Sequence, residues 1–129
     1  MSNKEVKEYA STYFLPLLLG SNRRAHKLGA KILRKYGIVS FVLDEKRSIY
    51  SFFDLSSHFV PLCKTEEYSI LSDELLAIAH RYSDNLPILI PCSPKYAELI
   101  DKLSHELETA FVICDSDRVF SDSPLADIP

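Results

Sequence analysis

Residues 14–44 read FLPLLLGSNRRAHKLGAKILRKYGIVSFVLD, and this stretch decides the predicted fold. An apolar run, 14–19, ends at Gly20, and a polar turn then leads into a helical pattern that Gly37 ends. A β-branched and aromatic run follows and ends at Asp44. Strand, glycine turn, helix and strand form a βαβ unit, whose two strands pair in parallel through a right-handed crossover. The apolar positions on one face of the helix are Ala25, Leu28, Ile32, Leu33 and Tyr36.

The rest of the chain extends the same alternation. Its patterns predict an edge strand at 58–62, a helix capped by Ser72, and a central strand at 87–91. A helix that begins at Ser93-Pro94 and a last strand at 110–114 follow. The chain is therefore predicted to be an α/β protein of Rossmann-like type. It has an open, mostly parallel five-stranded sheet in the order 3-2-1-4-5, with helices on both faces.

The predicted organisation is a single domain with a short segment at each end. Residues 1–13 are interpreted as a lead-in, 14–114 as the Rossmann-like domain, and 115–129 as a linker rich in Asp and Ser. A chain of 129 residues can bury a core without help from a metal or disulfide.

Composition narrows the classes of function. The net charge of −3 supplies no basic excess for a phosphate backbone, so we expect no nucleic-acid partner. No apolar run is long enough to cross a membrane, and residues 1–8 lack a hydrophobic signal region, so we expect a cytoplasmic protein. Cys63, Cys92 and Cys114 form no C-x-x-C pair and are interpreted as buried thiols of a reducing compartment. The pattern leaves the oligomeric state open.

Two loops are candidates for binding because they follow the strands on either side of the predicted switch in strand order. The first, Gly20-Ser21-Asn22-Arg23, precedes a helix N-terminus, where backbone N–H groups and these polar side chains favour a phosphate or carboxylate. The alternative is that these residues only make the turn and cap the helix. The second loop contains Cys92 and Ser93.

Known nucleotide motifs fit this turn poorly. Asn22 stands where the dinucleotide pattern G-x-G-x-x-G has its second glycine, and no P-loop sequence follows Gly20. Asp44 is at the position of an acidic ribose ligand, although aspartates are common at strand ends. The spacing of residues identifies no catalytic Ser-His-Asp, Cys-His or paired-carboxylate arrangement, and no metal site.

Several short motifs together resemble the N-terminal, pre-ATP-grasp domain of ATP-grasp ligases. The similarity is to carbamoyl-phosphate synthase-like and carboxylate–amine ligase-like members. This sequence has Gly20-Ser21 in place of the commoner Gly-Gly turn. The segments that carry the resemblance are 16–21, the helix through Leu28 and Leu33, 36–44, 56–60 and 89–93.

The resemblance implies an ATP-dependent ligase that joins a carboxylate to an amine through an acyl phosphate. This domain would supply one wall of the acceptor-substrate site and would not be catalytic alone. ATP and Mg²⁺ would bind a missing ATP-grasp domain, which would be a partner of this one. No cofactor is then expected in this chain. The substrate-binding residues implied are Gly20, Ser21, Asn22, Arg23, Cys92 and Ser93.

Two other functions stay open at this level. The chain could be a stand-alone Rossmann-like module that binds a nucleotide or another small ligand. It could also be a receiver-like or interaction domain, but a receiver needs an acidic pair after its first strand, where this chain has Gly20.

Overall fold

The computed structural model describes residues 14–53 and 57–114. In this part of the chain five strands form one all-parallel sheet in the order β3-β2-β1-β4-β5, which confirms the predicted α/β class and strand order. The predicted lead-in (1–13) and linker (115–129) lie outside the described residues. The elements are β1 (Phe14–Leu19), α1 (Arg23–Tyr36), β2 (Ser40–Asp44), α2 (Ile49–Phe53), β3 (Ser57–Pro61), α3 (Tyr68–Arg81), β4 (Leu86–Pro91), α4 (Pro94–Lys102), α5 (Ser104–Leu107) and β5 (Val112–Ile113).

β1 is the central strand, and its proline is accommodated by a difference between its two neighbours. On the β4 side the register covers all six residues of β1, with Pro16 opposite Ile88. On the β2 side the register begins only at Leu17, opposite Phe41. Proline has no N–H to donate to a ladder. Pairing with β2 that starts after Pro16 therefore loses no hydrogen bond.

The sheet buries a separate core on each face. Successive side chains of a strand point to opposite faces, so Leu17 and Leu19 pack with α3, α4 and α5, while Leu18 packs against α1. All three leucines are fully buried. A strand covered on both faces has to be apolar throughout, which explains the unbroken run in β1.

α1 starts and ends where the sequence predicts, and α4 starts where it predicts. The side chain of Asn22 caps α1, and Gly37 ends it in the left-handed region, with φ of 72°. Ser93 caps α4 by accepting a hydrogen bond from the backbone N–H of Tyr96, and Pro94 occupies the first helical position.

Two local predictions are wrong. α3 begins at Tyr68, one turn before the predicted cap, so Ser72 lies inside the helix. Its hydroxyl donates to Glu106 Oε2 on α5 at 2.7 Å, an acceptor that the local pattern does not reveal. The helix predicted to run from Ser93-Pro94 through Leu107 is divided into α4 and α5, because the chain turns at Leu103. For residues 49–53, whose pattern fits neither the strand period nor the helix period, no element was predicted, and they form the short helix α2.

The outer strands agree with the predicted arrangement. β3 lies at one edge of the sheet, where Pro61 at its last position does not interrupt a central ladder. β5 at the other edge contains only Val112 and Ile113, which is shorter than the predicted strand at 110–114. None of the described helices combines the length and hydropathy that a membrane crossing requires.

Candidate functional site

The two predicted loops meet at the carboxyl edge of the sheet. β1 and β4 lie side by side with Leu19 opposite Pro91, and the N–H of Cys92 donates to Leu19 O at 2.8 Å. α1 and α4 leave from these neighbouring strand ends and cover opposite faces of the sheet. This is the topological switch point, where open α/β sheets place their ligand crevice.

Gly20 makes the turn out of β1 under close packing. Its φ is 114°, a backbone conformation that side-chain-bearing residues rarely adopt, and its N–H donates to Leu43 O at 2.8 Å. A Cβ here would lie 3.4 Å from the Tyr96 ring and 3.6 Å from Ser93 Oγ, which is ordinary contact. The backbone conformation therefore explains why residue 20 is a glycine. We call the turn Gly20-Ser21-Asn22 the corner, and there is no open space above Gly20.

Asn22 connects the two loops with both ends of its amide. Its Oδ1 accepts from the N–H of Ala25 at 2.9 Å, which is the helix cap, and its Nδ2 donates to Cys92 O at 3.0 Å. Asn22, which stands in place of the second glycine of the dinucleotide pattern, thus has a structural role. It joins the start of α1 to the end of β4.

Asp44 is held by the protein itself. Its Oδ2 accepts from the N–H of Ser21 at 2.8 Å, and its Oδ1 accepts from the Tyr96 hydroxyl and from the N–H of Glu45, both at 2.7 Å. Burial raises the pKa of Tyr96 well above its usual range, and the bond to Asp44 adds to the effect. The carboxylate therefore fastens β1, β2 and α4 together. A ribose role for Asp44 stays a prediction.

Replacing Asp44 by asparagine should lower the free energy of unfolding by about 2 kcal/mol. The substitution keeps the shape but removes a charged acceptor and turns an amide NH₂ towards one of its donors. Urea denaturation measures the change. Asp84→Asn, on an exposed aspartate, is the control and should cost less than about 0.5 kcal/mol. Equal stability of the two variants would contradict the fastening role.

Ser21 and His26 stand at the centre of a hydroxyl cluster that the sequence did not predict. Ser21 Oγ lies 3.2 Å from His26 Nε2, 2.8 Å from Ser48 Oγ and 2.6 Å from Ser51 Oγ. His26 Nε2 also lies 3.0 Å from Ser51 Oγ, and its Nδ1 lies 3.5 Å from Ser57 Oγ. We refer to these five residues as the hydroxyl cluster. It brings together the β1–α1 turn, α1, α2 and β3.

Local patterns reveal only part of this cluster. The sequence places His26 beside Ala25, which is on the apolar face of α1, and this was the available signal. In the structure His26 is buried, with 8% of its surface exposed. A buried imidazole needs a hydrogen-bond partner. The partners lie 25 and 31 residues away in Ser51 and Ser57, and only the fold makes them neighbours.

The open part of the crevice lies beside the corner. A groove of about 570 Å³ runs from the start of α1 along α4 and α5 to the end of β5. Of the predicted site residues Ser93 lines it, while Arg23 is exposed but is not among the lining residues. The neighbouring Arg24 lines the groove instead. The lining residues used below are Arg24, Ser93, Ile100, Asp101 and Glu108.

Cys92 is placed for packing. It is 2% exposed, and burial raises the pKa of its thiol to about 12, although the nearby charge of Arg24 opposes that rise. A thiol in this state is a poor nucleophile. Cys114 is also buried, but Cys63 is exposed, so the prediction of three buried thiols is wrong for Cys63, which lies in the loop after β3.

The described residues contain no group of three or more His, Cys, Asp or Glu side chains placed to hold a metal ion. Comparison with known proteins identifies no family. No protein-family model matches the sequence, and no curated protein is significantly similar to it. The resemblance to pre-ATP-grasp domains therefore stays a prediction that depends on short motifs and strand order.

Proposed function

We propose that this chain is the N-terminal, pre-ATP-grasp domain of an ATP-dependent carboxylate–amine or carbamoyl-phosphate synthase-like ligase. It supplies one wall of the acceptor-substrate site. The observation that carries this proposal is the meeting of the two predicted loops at the switch point of a parallel 3-2-1-4-5 sheet, with an open groove beside them. Ligand crevices of open α/β sheets lie at that place.

One end of the groove suits the carboxylate of a small substrate. Arg24 supplies a guanidinium and Ser93 a hydroxyl near one end of the groove, and both can donate to carboxylate oxygens. Asp101 and Glu108 line the groove further along α4 and α5, and Ile100 contributes apolar surface. About 570 Å³ is within the range of small-molecule sites, roughly 300–1,000 Å³.

The corner and the groove have different tasks in this proposal. Gly20, Ser21 and Asn22 use their backbone or side-chain groups within the protein, so they shape the wall and hold α1 against β4. Arg24 and Ser93 provide the polar contacts to the substrate. ATP and Mg²⁺ belong to the ATP-grasp lobes, outside this chain, and the phosphorylation step takes place there.

The reading frame beyond codon 129 tests the family. An ATP-grasp continuation would encode a lysine-bearing hydrophobic stretch and, later, a Glu/Asn pair for magnesium. A stop codon directly after Pro129 would contradict the ligase proposal and favour a stand-alone ligand-binding module.

Within the complete ligase, Arg24→Ala should raise the KM for the carboxylate acceptor by about tenfold or more, because a charge-assisted hydrogen bond is worth roughly 1.5–3 kcal/mol. The KM for ATP should not change. Arg23→Ala is the matched control, since it removes the same charge from the neighbouring residue, whose side chain does not line the groove. Steady-state kinetics with each substrate varied in turn measures both.

An unchanged acceptor KM in Arg24→Ala would remove Arg24 from the site. A larger effect of Arg23→Ala than of Arg24→Ala would instead assign the carboxylate to the residue that the sequence motif predicts. Either result would contradict the assignment of the groove.

A further inference from the structure

The groove along α4 changes character from one end of the helix to the other. Ser93 and Arg24 line it where α4 begins, and Asp101 lines it where α4 ends. Between these positions Ala97 and Ile100 supply apolar surface. A ligand that follows the groove therefore passes from hydrogen-bond donors, over apolar side chains, to a carboxylate.

We propose that the groove binds an ω-amino acid, which has a carboxylate at one end of an aliphatic chain and an ammonium at the other. Its carboxylate lies at Arg24 and Ser93, its methylene groups lie over Ala97 and Ile100, and its ammonium lies at Asp101. That this molecule is the acceptor rests on the proposed function, whereas its binding to the groove does not.

Ser93 has a donor left for the carboxylate. Its Oγ accepts from the backbone N–H of Tyr96 at 3.3 Å as the cap of α4, which uses a lone pair and leaves the hydroxyl proton. The charge of Arg24 acts on Cys92, the residue before Ser93, so the guanidinium lies at the same end. Hydrogen bonds from a guanidinium to a carboxylate are charge-assisted and strong.

Asp101 and Glu108, further along, can accept a cation. Within residues 14–53 and 57–114 neither side chain makes a hydrogen bond or an ion pair. The neighbouring Lys102 is engaged elsewhere, because its Nζ donates to the Tyr68 hydroxyl at 2.8 Å and lies 3.2 Å from Glu98 Oε1, and these three residues line a different groove. An ammonium can therefore bind here without displacing a described partner.

The dipole of α4 has the polarity that this ligand requires. The helix has nine residues, and a helix carries partial positive charge at its N-terminus and partial negative charge at its C-terminus. Ser93 caps the positive end, and Asp101 is the last residue but one at the negative end. Both the side chains and the helix therefore favour a carboxylate at Ser93 and an ammonium at Asp101.

The spacing of these residues sets the length of the ligand. Asp101 follows Ser93 by eight positions, which is about 12 Å along a helix that rises roughly 1.5 Å per residue. A hydrogen bond of about 3 Å at each end leaves about 6 Å between the two charged groups. An extended chain advances about 1.2 Å per bond, so about four or five methylene groups bridge this distance. An α-amino acid, with both groups on one carbon, is too short.

Titration of the 129-residue chain with 6-aminohexanoate, followed by ¹H–¹⁵N NMR, tests the proposal. We expect the amide signals of α4 to shift, with a Kd at least tenfold lower than for hexanoate, hexylamine or glycine. Hexanoate and hexylamine keep an aliphatic chain but carry one charge, and glycine carries both charges without the length.

Asp101→Asn should raise the Kd for 6-aminohexanoate about tenfold, because it removes the charge that binds the ammonium. Asp73→Asn is the matched control, since Asp73 is an exposed aspartate of α3 that does not line the groove, and it should leave the Kd unchanged. Circular dichroism checks that both variants are folded.

No binding of 6-aminohexanoate, an equal Kd for hexanoate or glycine, or an unchanged Kd in Asp101→Asn would overturn the proposal. The titration contains no ATP, so its outcome is separate from that of the reading-frame test. Length-selective binding by a chain without an ATP-grasp continuation would support the groove assignment and contradict the ligase proposal. Unselective binding by a chain that has the continuation would overturn only the ω-amino acid.

Discussion

Replacing Leu17 by alanine is expected to lower the free energy of unfolding by about 3 kcal/mol or more. Leu17 is fully buried, and its strand lies at the centre of the sheet between β2 and β4. The substitution removes buried apolar surface and leaves a cavity that rigid neighbouring strands cannot close. The loss is a large fraction of the roughly 5–15 kcal/mol that stabilises an ordinary domain.

Urea denaturation of the two proteins measures this effect. The midpoint should fall while the dependence of the free energy on urea stays the same, since the surface exposed on unfolding hardly changes. Ile49→Ala is the control, because that side chain is 68% exposed, and its cost should stay below about 0.5 kcal/mol. A loss at Leu17 no larger than at Ile49 would contradict the buried central position of β1.

The second large effect is a difference in thiol reactivity. At pH 8 the raised pKa of about 12 leaves Cys92 roughly a thousandfold less ionised than it would be at its ordinary pKa of 9.0. Iodoacetamide attacks accessible thiolates, so it should alkylate the exposed Cys63 about a hundredfold or more faster than the buried Cys92 in the native protein. Because the pKa of Cys92 is raised, its thiolate fraction should grow about tenfold for each pH unit up to that value.

Mass spectrometry of tryptic peptides measures each rate separately. The Cys63→Ser variant removes the fast reaction, and urea should then expose the remaining two thiols to rapid alkylation. Native Cys92 that reacts within tenfold of Cys63 would contradict its burial, and it would make this thiol a candidate for chemistry again.

Much of the fold could be predicted because its signals are local. Gly20 and Gly37 mark turns, Ser93-Pro94 marks a helix start, and the run in β1 indicates a strand covered on both faces. The order of strands followed from the alternation of elements and the right-handed crossover rule. The cap at Ser72 was predicted wrongly, because a serine can either cap a helix or lie inside it, and here its hydroxyl donates to the distant Glu106.

The candidate site was predicted less completely, and for the same reason. The loops at Gly20 and Cys92 could be predicted to meet, because topology places the ends of β1 and β4 together. The sequence could not show that Ser21 and Asp44 are engaged within the protein, or that Arg24 lines the groove while Arg23 does not. Side-chain direction at a helix start depends on the exact packing of that helix.

By itself the sequence determined a parallel α/β sheet whose strand order changes direction between β1 and β4. It could do so because the hydrophobic period and the glycine positions act over a few residues. Only the tertiary structure decided the hydroxyl cluster around His26 and the groove along α4. Both consist of side chains from distant segments, and their distances exist only after the sheet has brought those segments together.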